Sequence, residues 1–446
     1  MILGLARQGK ALARYLAERG AAVVISDLKQ ADQLARERRE LADLSLEYKL
    51  GGHPSAMLQG ADKLFLSGGV PADLPLVQEA RQQGVPVAND SQVFLEACPS
   101  RTVGITGSAG KSTTTALVGE ISKRAGRTAW VGGNIGRPLL KDLSKMSEED
   151  EAILELSSFQ LELMTVSPDI AAILNLTPNH LDRHKKFDAY IEAKARILHF
   201  QNDEDTAVLG HGDPVAWGLR DRVRGRLFSF GLEEPPEGEG AFLRGSELWL
   251  ATEFHRGEVI QAKDIALRGD HNLLNALAAC AIAAAMELPV EAMAEALRHF
   301  SGLPHRLELV RTVGDVRWVN DSIATTPERA EAGLRSFRSP VVLLAGGRDK
   351  GLDWSPLAQA ALESCRHVIG FGECGSAVIR AVHNARGNSE TPGVSLVEGL
   401  EQGVAQASEL AQSGDVVLLS PGGTSFDAYV DFEARGDHFR ELVKDL

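Results

Sequence analysis

One seven-residue stretch constrains this chain more than any other: Thr106-Gly107-Ser108-Ala109-Gly110-Lys111-Ser112. It stands between an apolar run, Thr102 to Ile105, and a run of helix-forming residues, Thr113 to Lys123. A glycine-rich turn between a strand and a helix points backbone N–H groups into one concavity at the positive end of the helix, where a phosphate can be cradled. The lysine would reach the outer phosphates, and the serine hydroxyl could ligate Mg2+. Only the distal half of the strict phosphate-loop pattern is matched, because position 105, where its first glycine would stand, is Ile105. A glycine linker before a chance lysine is the competing reading. The strand before and the helix after favour the phosphate site, and with it an ATP-using chain built of strand-turn-helix units.

The 446 residues are too many for one core, so about three domains are expected. With 44 glycines and only 5% aromatic residues, the composition suits stacked α/β units joined by tight turns. A formal net charge of −14 argues against nucleic acid as a partner, so anionic substrates must be met by local cations. Cys98, Cys280, Cys365 and Cys374 make no C-x-x-C pair, which fits a reducing compartment. No apolar run nears the roughly 20 residues of a membrane helix. The longest, Ala276 to Met286, reads as a buried core helix. A cytoplasmic monomer without membrane or nucleic-acid partners is expected.

The N-terminal part opens with Gly4-Leu5-Ala6-Arg7-Gln8-Gly9, then a helical run and a strand, Ala22 to Ser26, ending at Asp27. This resembles a dinucleotide turn whose middle glycine is Ala6, too weak to establish NAD binding. Strands at Lys63 to Leu66 and Val85 to Ala88 follow, the first running into Ser67-Gly68-Gly69-Val70. Cys98-Pro99-Ser100 marks a boundary, giving a first domain of residues 1–97. The central domain, 98–302, holds the phosphate loop, strands at Glu151 to Leu156 and Ile170 to Leu176, short alternating strands from Thr206 to about Leu267, and a surface loop at Glu233 to Gly240. The third, 303–446, alternates strands and helices again, with glycine- and serine-rich turns after Leu344 and Leu419.

Glu155, at the end of a strand that should lie beside the loop strand, is placed to hold Mg2+ with Ser112. A solvated strand-end glutamate is the bland alternative. His180-Leu181-Asp182-Arg183-His184 fits no helical zinc spacing, and a hard-metal or substrate role is preferred for His180, with helix capping open for Asp182. Asn272 and Asn275 share one helical face and could read a nucleotide, although alone they would pass for a cap and a satisfied polar residue.

Taken with Glu155-Leu156-Ser157-Ser158-Phe159-Gln160-Leu161-Glu162, Gly302-Leu303-Pro304-His305-Arg306, Asn320-Asp321-Ser322 and Leu419 to Asp427, these motifs make the chain resemble the Mur ligases over nearly its whole length, in particular the glutamate-adding branch. The resemblance implies an α/β enzyme of three domains: an N-terminal Rossmann-like domain, a central P-loop-type ATPase domain with a mostly parallel sheet, and a C-terminal Rossmann-like domain. It implies ligation of D-glutamate to UDP-N-acetylmuramoyl-L-alanine through an acyl phosphate, with ATP and two Mg2+. Gly107, Ser108, Gly110, Lys111, Ser112, Thr113, Asn272, Asn275, Arg306 and Asp321 would then bind ATP. Ser112, Glu155, His180 and Lys194 would hold metal, Lys194 as a carbamate; Lys111, Glu155, His180 and Lys194 carry the catalytic assignment. Gly4, Leu5, Ala6, Arg7, Gln8, Asp27, Ser67, Gly68, Gly69, Asn134 and His180 match the UDP-sugar site, and Thr325, Lys350, Ser425 and Phe432 the glutamate site. Three departures stand out: Ala109 for asparagine, Ile323 for lysine, and Gly422-Gly423 for Ala-Cys.

Other readings are an NAD-dependent oxidoreductase, which the Ala6 turn disfavours, and a UDP-sugar sensor without catalysis. The same ligation with L-glutamate, or a folylpolyglutamate synthase-like ligase, would share the ATP chemistry.

Overall fold

The computed structural model describes residues 1–134, 138–236, 238–267, 269–349 and 351–446. Three sheets form. The first is all parallel: β1 (Ile2–Leu3), β2 (Val23–Asp27), β3 (Leu46–Leu50), β4 (Leu64–Leu66) and β5 (Val87–Ala88), in the order β3-β2-β1-β4-β5. Two residues suffice for β1 because it lies at the centre, Ile2 pairing with Ile25 on one side and Phe65 on the other.

The second sheet contains β6 (Arg101–Thr106), β7 (Ala129–Gly133), β8 (Glu151–Glu155), β9 (Ile170–Ile173), β10 (Thr206–Gly210), β11 (Arg226–Gly231), β12 (Glu239–Arg244), β13 (Glu247–Ala251) and β14 (Arg256–Gln261). Its order is β14-β13-β12-β11-β10-β9-β6-β8-β7. It is parallel from β7 to β12 and ends in an antiparallel β12-β13-β14 meander. β6 therefore runs between β8 and β9, with chain crossovers leaving in both directions. Open α/β sheets take ligands at such a place, beyond the strands' carboxyl ends.

The third sheet contains β15 (Glu308–Val313), β16 (Val316–Asn320), β17 (Val341–Gly346), β18 (Cys365–Phe371), β19 (Gly393–Leu396) and β20 (Val416–Gly422), ordered β15-β16-β20-β17-β18-β19. Only β15 and β16 pair antiparallel. Residues Met1–Phe300 form one compact unit and Ser301–Leu446 another.

Val103, Ile105, Ile153, Ile170 and Ile173 are fully buried, as expected of strands covered on both faces. The alanine-rich helix Asp270–Ala285 is a core helix, buried from Asn275 to Ala283, and packs on the phosphate-loop helix Lys111–Arg124. No helix among the described residues is long and apolar enough to cross a membrane. The expected surface loop ends earlier than Gly240, because Glu239 and Gly240 open β12. Arg226 grips the Glu239 carboxylate at 2.6 and 2.8 Å, and Gly240 lies so close to Ser229 of β11 that a Cβ would overlap its carbonyl. Side-chain pairing and close approach thus convert part of an apparent linker into strand.

Candidate functional site

The phosphate loop leaves β6 and enters the helix Lys111–Arg124 at Gly110, which has φ of 84°. That left-handed conformation favours glycine, and a Cβ there would overlap the Asn275 side chain. Lys111 Nζ curls over the loop and donates to the Gly107 and Ser108 carbonyls at 2.9 and 3.2 Å. Thr113 is half-buried in the first turn of the helix. From the neighbouring β8, the buried Glu155 accepts from Ser112 Oγ at 2.6 Å and from Asn134 Nδ2 at 2.8 Å. The strand pairing predicted from sequence is therefore the contact that joins Ser112 to Glu155.

A second strap fixes the loop from the β9 side. Asn175 brackets Ala109, accepting from its N–H at 2.8 Å and donating to its carbonyl at 3.1 Å. Ser108 Oγ donates to the Thr177 carbonyl at 3.0 Å and lies 2.9 Å from the Tyr190 hydroxyl. Asn175 thus supplies, from the adjacent strand end, an amide beside the position where the family's loop asparagine is replaced by Ala109.

Lys194 lies on the helix Phe187–His199 and is 2% exposed. Its amine donates to Thr106 Oγ1 at 3.0 Å, and Thr106 in turn donates to the Leu156 carbonyl. Burial, reinforced by repulsion from Lys111 and opposed by Glu155, pulls the Lys194 amine down to about 6. The amine is therefore neutral at physiological pH. His180 is exposed, with a left-handed φ of 52°. Its ring stands edge-on to Phe159 at 5.2 Å, Phe159 stacks on His184 at 5.3 Å, and His184 meets Tyr190 at 5.4 Å. The Lys194 amine sits 5.0 Å from the Tyr190 ring centroid, so aromatic rings bridge His180 to Lys194. The Asp182 side chain lies outside the described residues.

Asn275 is buried beside Gly110 and donates to Asn272 Oδ1 at 3.1 Å, so the two amides act as one unit at the loop. In the N-terminal turn, Gly4 has φ of 89° and its N–H donates to the Ser26 carbonyl. Leu5 N–H donates to Asp27 Oδ2 at 2.8 Å, and Gln8 Oε1 accepts from Gly68 N–H at 2.9 Å. Ala6 caps the helix Arg7–Ala17 without any side-chain hydrogen bond. Ser67, Gly68 and Gly69 follow β4 directly, with Ser67 N–H donating to the Leu3 carbonyl. The two glycine turns expected for the UDP-sugar therefore meet through Gln8.

In Ser301–Leu446, the turns after β16, β20 and β17 come together. Ser420 Oγ donates to Asp321 Oδ2 at 2.8 Å, and Leu307 N–H donates to Asp321 Oδ1 at 3.2 Å. Burial pushes the Asp321 carboxyl up to about 7. Arg306 is exposed. Thr325 is half-buried, Ser425 is buried, and Phe432 starts the helix Phe432–Lys444, its carbonyl accepting from Ser322 Oγ at 2.8 Å. Lys350 lies outside the described residues. At the hub is Arg435, fully buried, donating to Ser322 Oγ, the Ser322 carbonyl and the Gly423 carbonyl at 2.9–3.1 Å. Gly422-Gly423 has a steric reason here: a Cβ at 422 would strike Trp354, and one at 423 would press on Cys374 Sγ. Ile323 contributes its backbone N–H to the His305 carbonyl.

Sequence reasoning missed Thr106, Asn175, Tyr190 and Arg435. The one local signal was Tyr190, four residues before Lys194 and hence on the same helical face. The Ser112–Glu155 pair, a hydroxyl beside a carboxylate under a lysine-bearing phosphate loop, suits a hard divalent cation completed by phosphate oxygens and water. Among the described residues no three His, Cys, Asp or Glu side chains gather into a metal cage.

Three family descriptions cover the chain: a Mur ligase MurD-like N-terminal domain over residues 1–89, a Mur ligase middle domain over 105–283 and a Mur ligase glutamate ligase domain over 305–423. A UDP-N-acetylmuramoylalanine–D-glutamate ligase of Symbiobacterium thermophilum is 38% identical over 100% of this chain and 97% of its own length. The protein of that name from Pelotomaculum thermopropionicum is 37% identical over 100% and 97%. Among solved structures, a UDP-N-acetylmuramate-alanine ligase from Thermotoga maritima aligns over 100% of this chain and 98% of that one, with TM-score 0.56 and 20% identity. A UDP-N-acetylmuramoyl-L-alanyl-D-glutamate–2,6-diaminopimelate ligase aligns over 96% and 94%, with TM-score 0.55 and 19% identity. With its phosphate loop, its three α/β sheets and full-length relatives of this identity, the chain belongs to the Mur ligase family.

Proposed function

We propose that this chain is an ATP-dependent ligase that joins D-glutamate to UDP-N-acetylmuramoyl-L-alanine in peptidoglycan precursor synthesis, acting in the cytoplasm as a monomer. The reading is carried by the pairing of Ser112 with Glu155 at 2.6 Å directly beneath the lysine-bearing loop. Relatives named for this reaction, 36–38% identical across the whole chain, support it. On this reading residues 1–97 take the UDP-sugar, 98–302 ATP and 303–446 glutamate.

A carboxylate oxygen of the alanyl group attacks the γ-phosphorus and ADP leaves. The glutamate amine then attacks the acyl carbon, loses a proton, and phosphate departs as the amide forms. Lys111 would turn from the loop carbonyls to the phosphates, and the loop N–H groups would hold their oxygens. Ser112 and Glu155 would hold one Mg2+, and His180 with Lys194 a second. Bound Mg2+ would offset the charge gathered when a carboxylate meets a triphosphate. Lys194, as a neutral buried amine, is suited to add CO2 and release a proton, which turns it into an anionic oxygen ligand. Asn272 and Asn275 in the first unit, and Arg306 and Asp321 in the second, are the remaining residues that this reading assigns to ATP. The Gly4–Gln8 turn, Asp27, Ser67, Gly68, Gly69, Asn134 and His180 orient the UDP-sugar, and Thr325, Lys350, Ser425 and Phe432 the glutamate.

The test is phosphate release by purified protein with ATP, Mg2+, UDP-N-acetylmuramoyl-L-alanine and either enantiomer of glutamate. Release with the D form alone is expected. Release with the L form alone would reassign the substrate, and release from neither would remove the ligase reading.

A further inference from the structure

Arg306 is flanked by two residues, His305 and Leu307, that are not glycine yet have left-handed φ angles of 61° and 45°. Such conformations cost free energy and persist only where neighbours enforce them. The enforcement is local and complete at His305. Its N–H donates to Glu308 Oε2 at 2.8 Å, its carbonyl accepts from Ile323 N–H at 3.1 Å, and its ring Nδ1 lies 3.0 Å from Asn320 Nδ2. The ring also rests on Gly436, where a Cβ would overlap Nδ1.

The direction of the ring hydrogen bond is fixed by Asn320. Its Oδ1 accepts from Ser322 N–H at 3.1 Å, while its amide nitrogen faces the Gly436 carbonyl at 3.1 Å and Glu308 Oε2 at 3.3 Å. The reverse amide orientation would aim an oxygen at a carbonyl and a carboxylate. Asn320 therefore turns its NH2 group toward His305, its two N–H groups shared among three acceptors, and Nδ1 facing that group keeps its lone pair. The ring proton sits on Nε2, 3.8 Å from Asp437 Oδ1. On the far side of this clamp, Leu307 N–H is held by Asp321.

We propose that His305, as the neutral Nε2–H tautomer, is a positioning residue that holds Arg306 and Asp321 in the fixed relation ATP requires, and that protonation of Nδ1 releases this hold. The proposal rests on the reading of Arg306 and Asp321 as ATP-binding residues. A proton on Nδ1 would set N–H against N–H at Asn320. Burial and Arg440 disfavour that proton, whereas Glu308, Asp437 and Asp431 favour it, and the balance holds His305 below its ordinary value. Arg440 is itself fixed on Glu308 at 2.8 and 3.1 Å. The clamp is accordingly intact at neutral pH and opens only on acidification.

The experiment measures binding of a non-hydrolysable ATP analogue to the full chain between pH 7.5 and 5.5, in wild type, His305→Asn and His305→Leu. Asparagine tolerates left-handed backbone and places a non-titrating acceptor near Nδ1. Titrations of the nucleotide, of Lys194 and of Asp321, whose carboxyl is pushed up to about 7, are present in all three proteins, so the readout is the difference between the profiles. Wild type should weaken several-fold more than His305→Asn on acidification to pH 5.5, less than the roughly tenfold that an unshifted imidazole would give. His305→Leu should be weak throughout, and nitrogen NMR of the wild-type ring should show Nε2–H at neutral pH. An Nδ1–H tautomer, or parallel pH profiles for wild type and His305→Asn, would overturn the proposal. Full analogue affinity in Arg306→Ala would instead remove the ATP reading beneath it.

Discussion

Two glycine turns in the first compact unit follow the same local plan and differ in what surrounds them. The turn after β1 has its backbone held by Asp27 and its neighbour Gly68 held by Gln8, and it carries no lysine at the helix start. The turn after β6 carries Lys111 and Ser112, lies against Glu155, and has the buried amine of Lys194 behind Thr106. Each turn opens onto a helix N-terminus, an end that favours an anion. The first has Arg7 at its helix start, whereas the second adds to its lysine a hydroxyl–carboxylate pair and a buried amine, parts suited to moving a phosphoryl group and not merely holding one. Under the proposed function, one motif would serve as a grip in the first turn and as a reaction centre in the second.

The contrast breaks most decisively at Lys111. Lys111→Ala should lower phosphate release by a factor on the order of 1,000 or more, the scale of a lost transition-state charge contact, with UDP-sugar affinity unchanged by calorimetry. Next is Lys194. Carbamylation needs the neutral amine, so activity measured with saturating substrates should fall as pH drops through about 6 and recover as pH rises. Carbon-13 NMR with labelled CO2 should show a carbamate that Lys194→Ala lacks. The same shift bears on folding: the unfolded lysine, at 10.5, binds a proton that the folded one does not between about 6 and 10.5. Through that window this residue's contribution makes the protein more stable as pH rises.

Glu155→Gln should raise the Mg2+ concentration required by about tenfold while leaving ATP-independent UDP-sugar binding intact, as Mg2+ titrations of rate would show. Gly110→Ala, which meets both a left-handed φ of 84° and the Asn275 side chain, should destabilise the protein by about 1–2 kcal/mol in urea melts. The smallest effect belongs to the grip: Asp27→Asn keeps an oxygen for Leu5 N–H and should raise KM for the UDP-sugar only several-fold without changing kcat.

Lys111, Ser112 and Glu155 could be read from the sequence because each depends on a local pattern, a strand running into a turn or a helix. Thr106 and Asn175 could not, because their roles come from β9 lying beside β6 and from a helix delivering Lys194 under the loop, whereas Tyr190 is marked only by its four-residue spacing from Lys194. A threonine ending a strand and an asparagine after one carry no mark of their partners. Arg435 reads as an ordinary helix-start arginine, and only burial among the Ser322 and Gly423 carbonyls distinguishes it. Trp354 and Cys374 occupy the space that side chains at positions 422 and 423 would need, a constraint that no local pattern marks. The two-residue β1 suffices before the Gly4 turn because it pairs on both sides at the centre of its sheet, a placement that two residues cannot reveal by themselves.

The central claim is that the second turn drives a ligation and not simple hydrolysis. Mass spectrometry of the reaction with ATP, Mg2+, UDP-N-acetylmuramoyl-L-alanine and D-glutamate, run beside phosphate release, measures this directly. One amide-linked UDP-sugar product is expected for each phosphate released, and none when any substrate is omitted. Phosphate released at the same rate without glutamate or UDP-sugar, with no product, would contradict it.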